Sequence, residues 1–480
     1  MDCRYSIVTL TVNALVTVAF GGQGLEKNSM KCSGLYIADG LRRLTGCQQS
    51  CRVMRFVIVA SVLASTLLAS GCGSGSAQQG PNSSSSTGST TSAGVGSAVE
   101  QALQNGAPVA PQIVAADNAF GLALFDALNQ GATSNVAISP TSIALALQMA
   151  YNGAEGSTQQ GMSQALQLQG LEALAVDQDN AALQAALINP DPLVQLTIAN
   201  SLWMHLSDNP VLPSFVATNE TYYAAEIGDL SGAPDNVNAW VAGETNGLIT
   251  QILPPRNYNE VVAVLANAIY FKGAWTSAFN PDQTTTTPFT LADGTQVSCQ
   301  MMNQTGSFPY LEGPNFQALK LPYGQTSRLS MLVILPAVGA DLASFVANMT
   351  NDELSTWLSE LEPANGSIGL PRFTAAYGSS LVNALTSLGM SVAFNPNVAD
   401  FSDLAPNVFI SDVEHEAVVQ VDETGTVAAG ATTITFSPTI AGAGPFSMTM
   451  NRPFFYAIVD GQTGALLFIG TLVDPTQSSS

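Results

Sequence analysis

Apolar residues recur in two patterns along the chain, and together they predict a mixture of helices and strands. Helical spacing, with an apolar position every three or four residues, predicts one helix over residues 120–128 and another after Ser139-Pro140. The residues with this spacing are Phe120, Leu124, Phe125 and Leu128 in the first segment and Ile143, Leu147, Met149 and Ala150 in the second.

Short apolar runs predict buried strands in the rest of the chain. They cover residues 194–203, 261–271, 328–335, 368–373, 408–411, 417–421, 454–459 and 465–472. Because helices and strands mix without strict alternation, we predict an α+β fold with large, mostly antiparallel sheets.

The most unusual segment, residues 424–451, contains 28 residues and no charged side chain. A connection of this length is improbable as an ordinary loop of a compact domain. Its small residues give way to the β-formers Thr433-Ile434-Thr435-Phe436. The segment could therefore become a strand if a sheet admitted it.

Residues 54–71 have the composition of a secretory signal peptide. A basic start at Met54-Arg55 precedes an apolar run of 14 residues (56–69) and then small residues. That run is too short to span a membrane comfortably. Ala69-Ser70-Gly71-Cys72 resembles a bacterial lipobox, which implies cleavage before Cys72 and a lipid on its sulfur. The alternative is plain secretion, with cleavage after an earlier Ala.

The regions on either side of this signal predict a simple domain organisation. Residues 1–53 fit no part of the signal, and we interpret them as an upstream extension that is not translated or as an unusual leader. Residues 72–110 are rich in Gly, Ser, Thr and Gln and predict a flexible linker with a reach of roughly 30 Å. No second low-complexity segment follows, so we predict one domain over residues 111–476.

Charge and cysteine content exclude several classes of function. Residues 56–480 contain six Lys and Arg but 32 Asp and Glu, which excludes a nucleic-acid partner and a heparin-like cofactor. Cys299 is the only Cys after residue 72, so the fold does not depend on an internal disulfide. The two His, His205 and His415, have no metal-binding spacing, and no Gly-x-Ser-x-Gly motif indicates a hydrolase. We therefore expect no metal, no cofactor and no enzymatic activity.

A series of short motifs in the predicted domain resembles the signatures of the serpin family, in order and over essentially all of residues 114–475. In the first half they are 135–143 (NVAISPTSI), 153–158 (GAEGST), 199–203 (ANSLW), 238–241 (NAWV), 245–247 (TNG) and 267–275 (NAIYFKGAW). In the second half they are 321–323 (LPY), 370–373 (LPRF), 399–402 (ADFS), 411–415 (SDVEH), 451–454 (NRPF) and 468–470 (FIG). The resemblance implies a serpin fold with about eight to nine helices, a five-stranded central sheet and an exposed reactive-centre loop, here residues 423–451.

The resemblance also implies roles for individual residues. Counting the family's usual spacing from Gly425 puts the scissile bond between Thr439 and Ile440, with Ile440-Ala441 as the alternative. The hinge that starts loop insertion would comprise Glu423, Gly425, Thr426, Ala428, Ala429, Gly430, Ala431 and Thr432. The shutter, where the sheet parts, would comprise Ser139, Ser142, Asn267 and His415. The breach, at the top of the sheet, would comprise Trp275, Arg372 and Glu423.

The loop sequence fits insertion as a new strand, in which alternate side chains face opposite sides. The side that would face the core consists of small or apolar residues, and the opposite side is also uncharged. The core-facing set is Thr426, Ala428, Gly430, Thr432, Ile434 and Phe436, and the opposite set is Val427, Ala429, Ala431, Thr433 and Thr435. We therefore expect an inhibitor rather than a non-inhibitory member of the family.

The expected function is irreversible suicide-substrate inhibition of serine proteases. No Lys or Arg occurs in the loop, which disfavours trypsin-like targets, whereas Thr439, Ile440 and Ala441 suit the small apolar pocket of elastase-like or subtilisin-like enzymes. Phe436 could instead attract a chymotrypsin-like enzyme. The remaining alternatives are inhibition of papain-like cysteine proteases and a non-inhibitory surface binding protein. We expect a monomer that is exported, either secreted or held at the cell surface or outer membrane only by its lipid anchor.

Overall fold

The computed structural model describes residues 96–426 and 445–477, which contain ten α-helices and fifteen strands. The helices are α1 (Ser97–Asn105), α2 (Pro111–Asn129), α3 (Pro140–Tyr151), α4 (Gly156–Ala165), α5 (Ala173–Leu187), α6 (Pro213–Tyr223), α7 (Asp235–Glu244), α8 (Leu342–Ala347), α9 (Asn351–Glu360) and α10 (Val382–Ser387). Short 3-10 helices occur at Leu230–Gly232, Pro281–Gln283 and Met390–Val392. Within these two ranges, no helix has both the length and the apolar character needed to cross a membrane.

The strands form two sheets. They are β1 (Val136–Ile138), β2 (Val194–Met204), β3 (Glu226–Asp229), β4 (Ala263–Ala274), β5 (Thr285–Thr290), β6 (Gln296–Glu312), β7 (Phe316–Pro322), β8 (Leu329–Pro336), β9 (Glu362–Pro371), β10 (Phe373–Ser380), β11 (Asp412–Val421), β12 (Gly425–Thr426), β13 (Phe446–Thr449), β14 (Phe454–Asp460) and β15 (Leu466–Leu472). The nine-stranded sheet has the order β1-β15-β14-β8-β7-β6-β9-β13, with β5 paired to β6. The six-stranded sheet has the order β10-β11-β12-β4-β2-β3.

The six-stranded sheet contains the feature that matters most for function. Strands β11 and β4 pair directly and in parallel, but only over six residue pairs from Asp412↔Val264 to Ala417↔Ile269. Above them the two-residue strand β12 pairs with both neighbours, through Val421↔Thr426 on one side and Thr426↔Gly273 on the other. Apart from the two-residue β12, five strands build this sheet, and β12 occupies only the upper end of the space between β11 and β4.

Helix α3 packs between the two sheets. It begins after Ser139, whose Oγ accepts a hydrogen bond from the backbone N–H of Ser142, and Pro140 occupies the first turn, where its missing N–H is not needed. All twelve of its residues are buried. The helix contacts β2 and β4 of one sheet and β15 of the other, so it joins them in a single core.

Most of the strands predicted from apolar runs are present. The predictions over 194–203, 261–271, 328–335, 454–459 and 465–472 correspond to β2, β4, β8, β14 and β15. The prediction over 408–411 is wrong, because the backbone N–H groups of Ile410 and Ser411 bond to Ala393 and Ala263 instead of one partner strand. The prediction over 368–373 is divided by Arg372 between β9 and β10.

Two predicted boundaries and the predicted number of helices also differ from the structure. Residues 97–105, predicted as part of the 72–110 linker, form α1, whose Val99 is buried against Ala181 and Ala185 of α5. With α1 included, the described residues contain ten α-helices rather than eight or nine. The predicted loop 423–451 is too long, because residues 446–449 form β13, where Phe446 stacks on Tyr310 at 3.9 Å.

Helices α2, α3, α5 and α6 are connected by buried polar side chains. Gln148 of α3 donates to Asp117 of α2 at 2.7 Å and accepts from Asn180 of α5 at 2.7 Å. Asn180 also donates to the hydroxyl of Tyr223 in α6, which in turn donates to Asp177 at 2.8 Å. The second carboxyl oxygen of Asp117 has no hydrogen-bond partner among the described residues.

This buried carboxyl predicts a pH-dependent stability. Burial raises the pKa of Asp117 to about 8, against a smaller lowering by Gln148, whereas an unfolded Asp titrates near about 4. The contribution of Asp117 to stability is therefore fully present below about pH 4 and is lost as the pH rises to about 8. We expect Asp117→Asn to be more stable than the wild type at pH 8 by a few kcal/mol, roughly 1.4 kcal/mol per pKa unit, as measured by urea unfolding.

The exposed Asp208 supplies the matched control, since Asp208→Asn removes a carboxyl that lies at the surface. At pH 4 the Asp117→Asn variant and the wild type should unfold at nearly the same urea concentration. Equal slopes of stability against pH in Asp117→Asn and Asp208→Asn would contradict the prediction.

Candidate functional site

The first hinge residues lie inside the six-stranded sheet. Gly425 pairs with Ala274 of β4, and an added Cβ at this glycine would lie 2.1 Å from the carbonyl oxygen of Gly273. A side chain does not fit at this distance, so the position requires glycine. Thr426, the next residue, is completely buried.

A buried pair of hydroxyl groups holds Thr426 in this position. Its Oγ1 lies 2.7 Å from the phenol oxygen of Tyr323. The Tyr323 ring stacks on the indole of Trp275, with centroids 4.4 Å apart and planes 11° apart. Burial raises the pKa of the Tyr323 phenol, which is therefore neutral and able to donate. Asp191 fixes the turn that follows Tyr323 by accepting from the backbone N–H groups of Gln325 and Thr326.

Tyr323→Phe should lower the stability of the protein by about 1–3 kcal/mol, because the Thr426 hydroxyl then remains buried without its partner. Thr426→Val should have a similar effect, and the double variant should lose less than the two single variants together. The midpoint of urea unfolding measures all three. Additive losses would show that the two hydroxyl groups do not stabilise each other.

The breach residues surround the segment immediately before β12. Glu423 is 5% exposed and accepts from Thr284 Oγ1 at 2.6 Å and from the guanidinium of Arg372, whose side chain is 48% exposed. Burial alone would raise the pKa of Glu423, but these donors hold it below its usual range. Trp275 donates its indole N–H to the carbonyl of Asp422 at 2.9 Å. The structure thus brings Trp275, Arg372 and Glu423 together at the base of the uncharged segment.

The shutter residues form one connected set of hydrogen bonds beneath the β11–β4 pair. Nε2 of His415 accepts from the backbone N–H of Ser139 at 3.3 Å, so the ring proton is on Nδ1, which donates to Asn267 at 2.8 Å. Asn267 in turn donates to Ser142 Oγ and to Asn200, both at 2.6 Å. Burial lowers the pKa of His415 to about 3, so the ring is neutral at physiological pH.

His415 and Asn267 also face each other in the register of β11 and β4. The cluster therefore bridges the two strands that must separate if a new strand is to enter. A fully hydrogen-bonded buried network favours one arrangement of these strands over alternatives that leave its polar groups unpaired.

Several predicted site residues lie outside the described residues. They are Thr439, Ile440 and Ala441 at the scissile bond, Ala428, Ala429, Gly430, Ala431 and Thr432 of the hinge, and the lipid acceptor Cys72. Conversely, four residues make contacts in these sites although the sequence alone indicates no role for them: Tyr323, Thr284, Asp422 and Asn200. Tyr323 and Asn200 belong to motifs quoted above, whereas nothing in the sequence near Thr284 indicates its contact with Glu423.

His205 and Cys299 are the other described residues to consider for acid–base, nucleophilic or metal-binding chemistry. His205 contacts the carbonyl of Tyr258 at 3.1 Å, and Cys299 is buried, with burial raising the pKa of its thiol. Over residues 96–426 and 445–477, no group of three or more His, Cys, Asp or Glu could hold a metal ion. The breach residues surround β12, and the shutter residues bridge the paired part of β11 and β4.

The chain is similar to proteins of one family over most of its length. Residues 115–475 match the family described as Serpin (serine protease inhibitor). An uncharacterised serpin-like protein of Methanosarcina acetivorans is 31% identical over 76% of this chain and 86% of its own length. Human leukocyte elastase inhibitor is 31% identical over 76% of this chain and its full length.

Solved structures agree with this result. The thermophilic serpin tengpin, crystallised in its native state, superposes with a TM-score of 0.71 at 29% identity, over 76% of this chain and 95% of its own. The α+β fold and the family expected from the sequence are confirmed by these similarities. The chain belongs to the serpin family.

Proposed function

We propose that the protein is an irreversible inhibitor of serine proteases and acts as a suicide substrate. The target serine attacks the loop bond Thr439-Ile440, or Ile440-Ala441, and forms an acyl-enzyme. The cleaved loop then enters the six-stranded sheet between β11 and β4 and carries the protease with it before water can complete hydrolysis.

The pairing of β12 carries this proposal. Gly425 and Thr426 already occupy the top of the seam between β11 and β4, and the residues that follow in the chain are small and uncharged. Loop residues that continue from Thr426 would extend an existing strand. Insertion of these residues would bury no charged side chain. Burial of an unpaired charge would be the main energetic obstacle to insertion.

The free energy available from insertion is sufficient for the proposed mechanism. Each new strand hydrogen bond contributes roughly 0.5–1.5 kcal/mol net. About a dozen inserted residues, paired on both sides, would release on the order of 10–20 kcal/mol. A protease domain is stable by only about 5–15 kcal/mol, so this release is large enough to distort the captured enzyme.

The loop sequence favours proteases with a small apolar specificity pocket. Thr439, Ile440 and Ala441 fit an elastase-like or subtilisin-like enzyme, and the loop offers no Lys or Arg to a trypsin-like enzyme. The similarity to human leukocyte elastase inhibitor supports the same target class. Cleavage after Phe436 by a chymotrypsin-like protease is the less favoured alternative.

We also propose that the inhibitor is exported and acts as a monomer. The signal-like residues 54–71 and the lipobox-like Cys72 support a lipid anchor, and the linker that follows would hold the domain away from the membrane. The strongly acidic composition disfavours a heparin-like activator or nucleic acid as partner. This arrangement would protect the cell surface from proteases in its surroundings.

The test is to incubate the protein with elastase, subtilisin, trypsin and papain and to separate the products on a denaturing gel. We expect a band at the summed mass of inhibitor and protease with elastase or subtilisin and none with trypsin, because only the former accept the loop. Elastase whose serine has been blocked is the control. The mass of the released C-terminal fragment, residues 440–480 or 441–480, identifies the scissile bond.

Other results of this experiment would contradict the proposal. Cleavage in the loop without a stable adduct would indicate a non-inhibitory member of the family. An adduct with papain alone would indicate a cysteine-protease inhibitor.

A further inference from the structure

The end of β4 is the surface on which β12 docks, and two other parts of the chain hold it in place. Ala274, the last residue of β4, pairs with Gly425 of β12. The backbone N–H of Ala274 donates to the carbonyl of Leu193 at 3.2 Å, and the carbonyl of Ala274 accepts from the backbone N–H of Gly324 at 2.8 Å. The docking surface therefore depends on the segment that leads into β2 and on the turn that follows β7.

A single buried side chain, Asp191, joins these two segments. One of its carboxyl oxygens accepts from the backbone N–H of Leu193 at 2.8 Å. The other accepts from the backbone N–H groups of Gln325 and Thr326 at 2.8 and 2.7 Å and from the Thr326 hydroxyl at 2.7 Å. Asp191 is 4% exposed, and although burial alone would raise its pKa, these donors hold the pKa below its usual range. The carboxylate is therefore ionised and ties both segments together.

The turn that Asp191 holds packs directly against the carboxylate. Gly324 has a φ of +72°, and a Cβ added there would lie 2.2 Å from the carboxyl carbon of Asp191. The position therefore requires glycine both for its backbone conformation and for this close approach. Tyr323 immediately precedes the turn, and its backbone pairs with that of Trp275. The position of the turn thus sets where the Tyr323 phenol lies relative to Thr426.

We propose that Asp191 is a positioning residue for loop insertion. Among the residues that the structure describes, it forms no hydrogen bond with 422–426, so its effect on the hinge passes through Tyr323 and the end of β4. By holding the turn against the start of β2, it keeps the phenol within hydrogen-bonding distance of Thr426 and keeps β12 paired before cleavage. The consequence for inhibition rests on the proposed function, whereas the docking of β12 is a property of the intact protein.

Asp191→Asn should separate the two halves of this link while keeping the size of the side chain. A carboxylate accepts hydrogen bonds at both oxygens, whereas an amide accepts at one atom and donates at the other. The variant can therefore accept from Leu193 or from the turn, but its NH2 group faces an N–H group on the remaining side. The turn and Tyr323 are then free to shift, and β12 loses part of its support.

Hydrogen exchange of the intact protein, followed by mass spectrometry of its peptides, tests the inference. We expect residues 273–279 and 422–426 to exchange about tenfold faster in Asp191→Asn than in the wild type, with the strands of the other sheet unchanged. Thr326→Val removes only one donor of an exposed residue and should raise exchange in the same peptides by a smaller factor.

The matched control is Asp177→Asn. Asp177 is also 4% exposed, but it lies in α5 and accepts a hydrogen bond from Tyr223 of α6, away from the hinge. This variant should leave the exchange of both peptides within about twofold of the wild type.

A second measurement shows whether Asp191 acts through the Tyr323 phenol. We expect Asp191→Asn to raise the number of inhibitor molecules consumed per inactivated elastase or subtilisin by about twofold or more, and to have little further effect when combined with Tyr323→Phe. A residue that only stabilises the fold would change this number by the same factor in both backgrounds.

The inference is wrong if Asp191→Asn leaves the exchange of residues 422–426 unchanged, or if it accelerates exchange uniformly over the whole domain. It is also wrong if the effect of Asp191→Asn on inhibition is the same with and without Tyr323→Phe. If the wild type forms no covalent complex with any protease, the proposed function fails, and the exchange result alone decides whether Asp191 keeps β12 docked. The two failures are therefore distinguishable.

Discussion

Thr426→Arg is expected to turn the inhibitor into an ordinary substrate of its target protease. Thr426 is completely buried between β11 and β4, with its hydroxyl on Tyr323. Arginine at this position would have to bury an unpaired guanidinium between β11 and β4, both in the intact protein and in the inserted strand, at a cost of several kcal/mol. We therefore expect it to hold β12 out of the sheet and to block growth of the inserted strand. The loop would then be cleaved faster than it inserts, and the acyl-enzyme would be hydrolysed.

The measurement is the number of inhibitor molecules consumed per inactivated protease. We expect about one for the wild type and more than about ten for Thr426→Arg, because a barrier raised by about 1.4 kcal/mol slows insertion tenfold. Thr426→Ser keeps a small hydroxyl side chain and serves as the control, with a value near that of the wild type. An unchanged stoichiometry in Thr426→Arg would show that loop insertion does not require Thr426 to stay buried between β11 and β4.

Cleavage within the loop is expected to raise the melting temperature of the protein by roughly 10–25 °C. Insertion would add a full-length strand between β11 and β4, with a gain on the order of 10–20 kcal/mol. Each kcal/mol raises the melting temperature of a domain of this size by only slightly more than about 1 °C, because the entropy of unfolding is about 2.1 cal/mol/K per residue. Differential scanning calorimetry of the intact protein and of the protein nicked by subtilisin measures the difference.

The Thr426→Arg variant also provides the control for this measurement. When nicked at the same bond, it should gain much less stability, because its loop cannot enter without burying a charge. If the nicked wild type melts no higher than the intact protein, the native fold stores no energy for the proposed mechanism.

The features that could be predicted from the sequence were those with a local signal. Strands β2, β4, β8, β14 and β15 are continuous apolar runs, and α3 begins with the cap and proline that its sequence indicates. Strand β6, by contrast, spans Gln296–Glu312 and is largely polar and partly exposed. Its position is set by pairing with β9, which is distant in the sequence, so its own residues gave no indication.

In the candidate site, too, individual residues could be predicted from local motifs, whereas contacts between distant segments could not. The motif residues His415 and Asn267 could be identified in the sequence, but their hydrogen bond joins positions 148 residues apart. The contact between Tyr323 and Thr426 depends on the stacking of Tyr323 on Trp275 and on the entry of β12 into the sheet. Neither is encoded in a short segment. Helix α1 has a weak signal in the sequence for another reason, because its small and polar residues resemble a linker and only Val99 is a buried apolar contact.

The pairing of β12 has a kinetic consequence for the proposed mechanism. Starting a strand in a sheet is slow because the first contacts must overcome the entropy of the free chain, whereas lengthening it is fast. Here the first contacts exist before any protease arrives, because β12 is already paired with β11 and β4. The new strand therefore needs only to lengthen, without a slow initiation step. The rate of loop insertion is then set by separation of the six residue pairs between β11 and β4. Substitutions at these pairs should therefore change the rate of insertion.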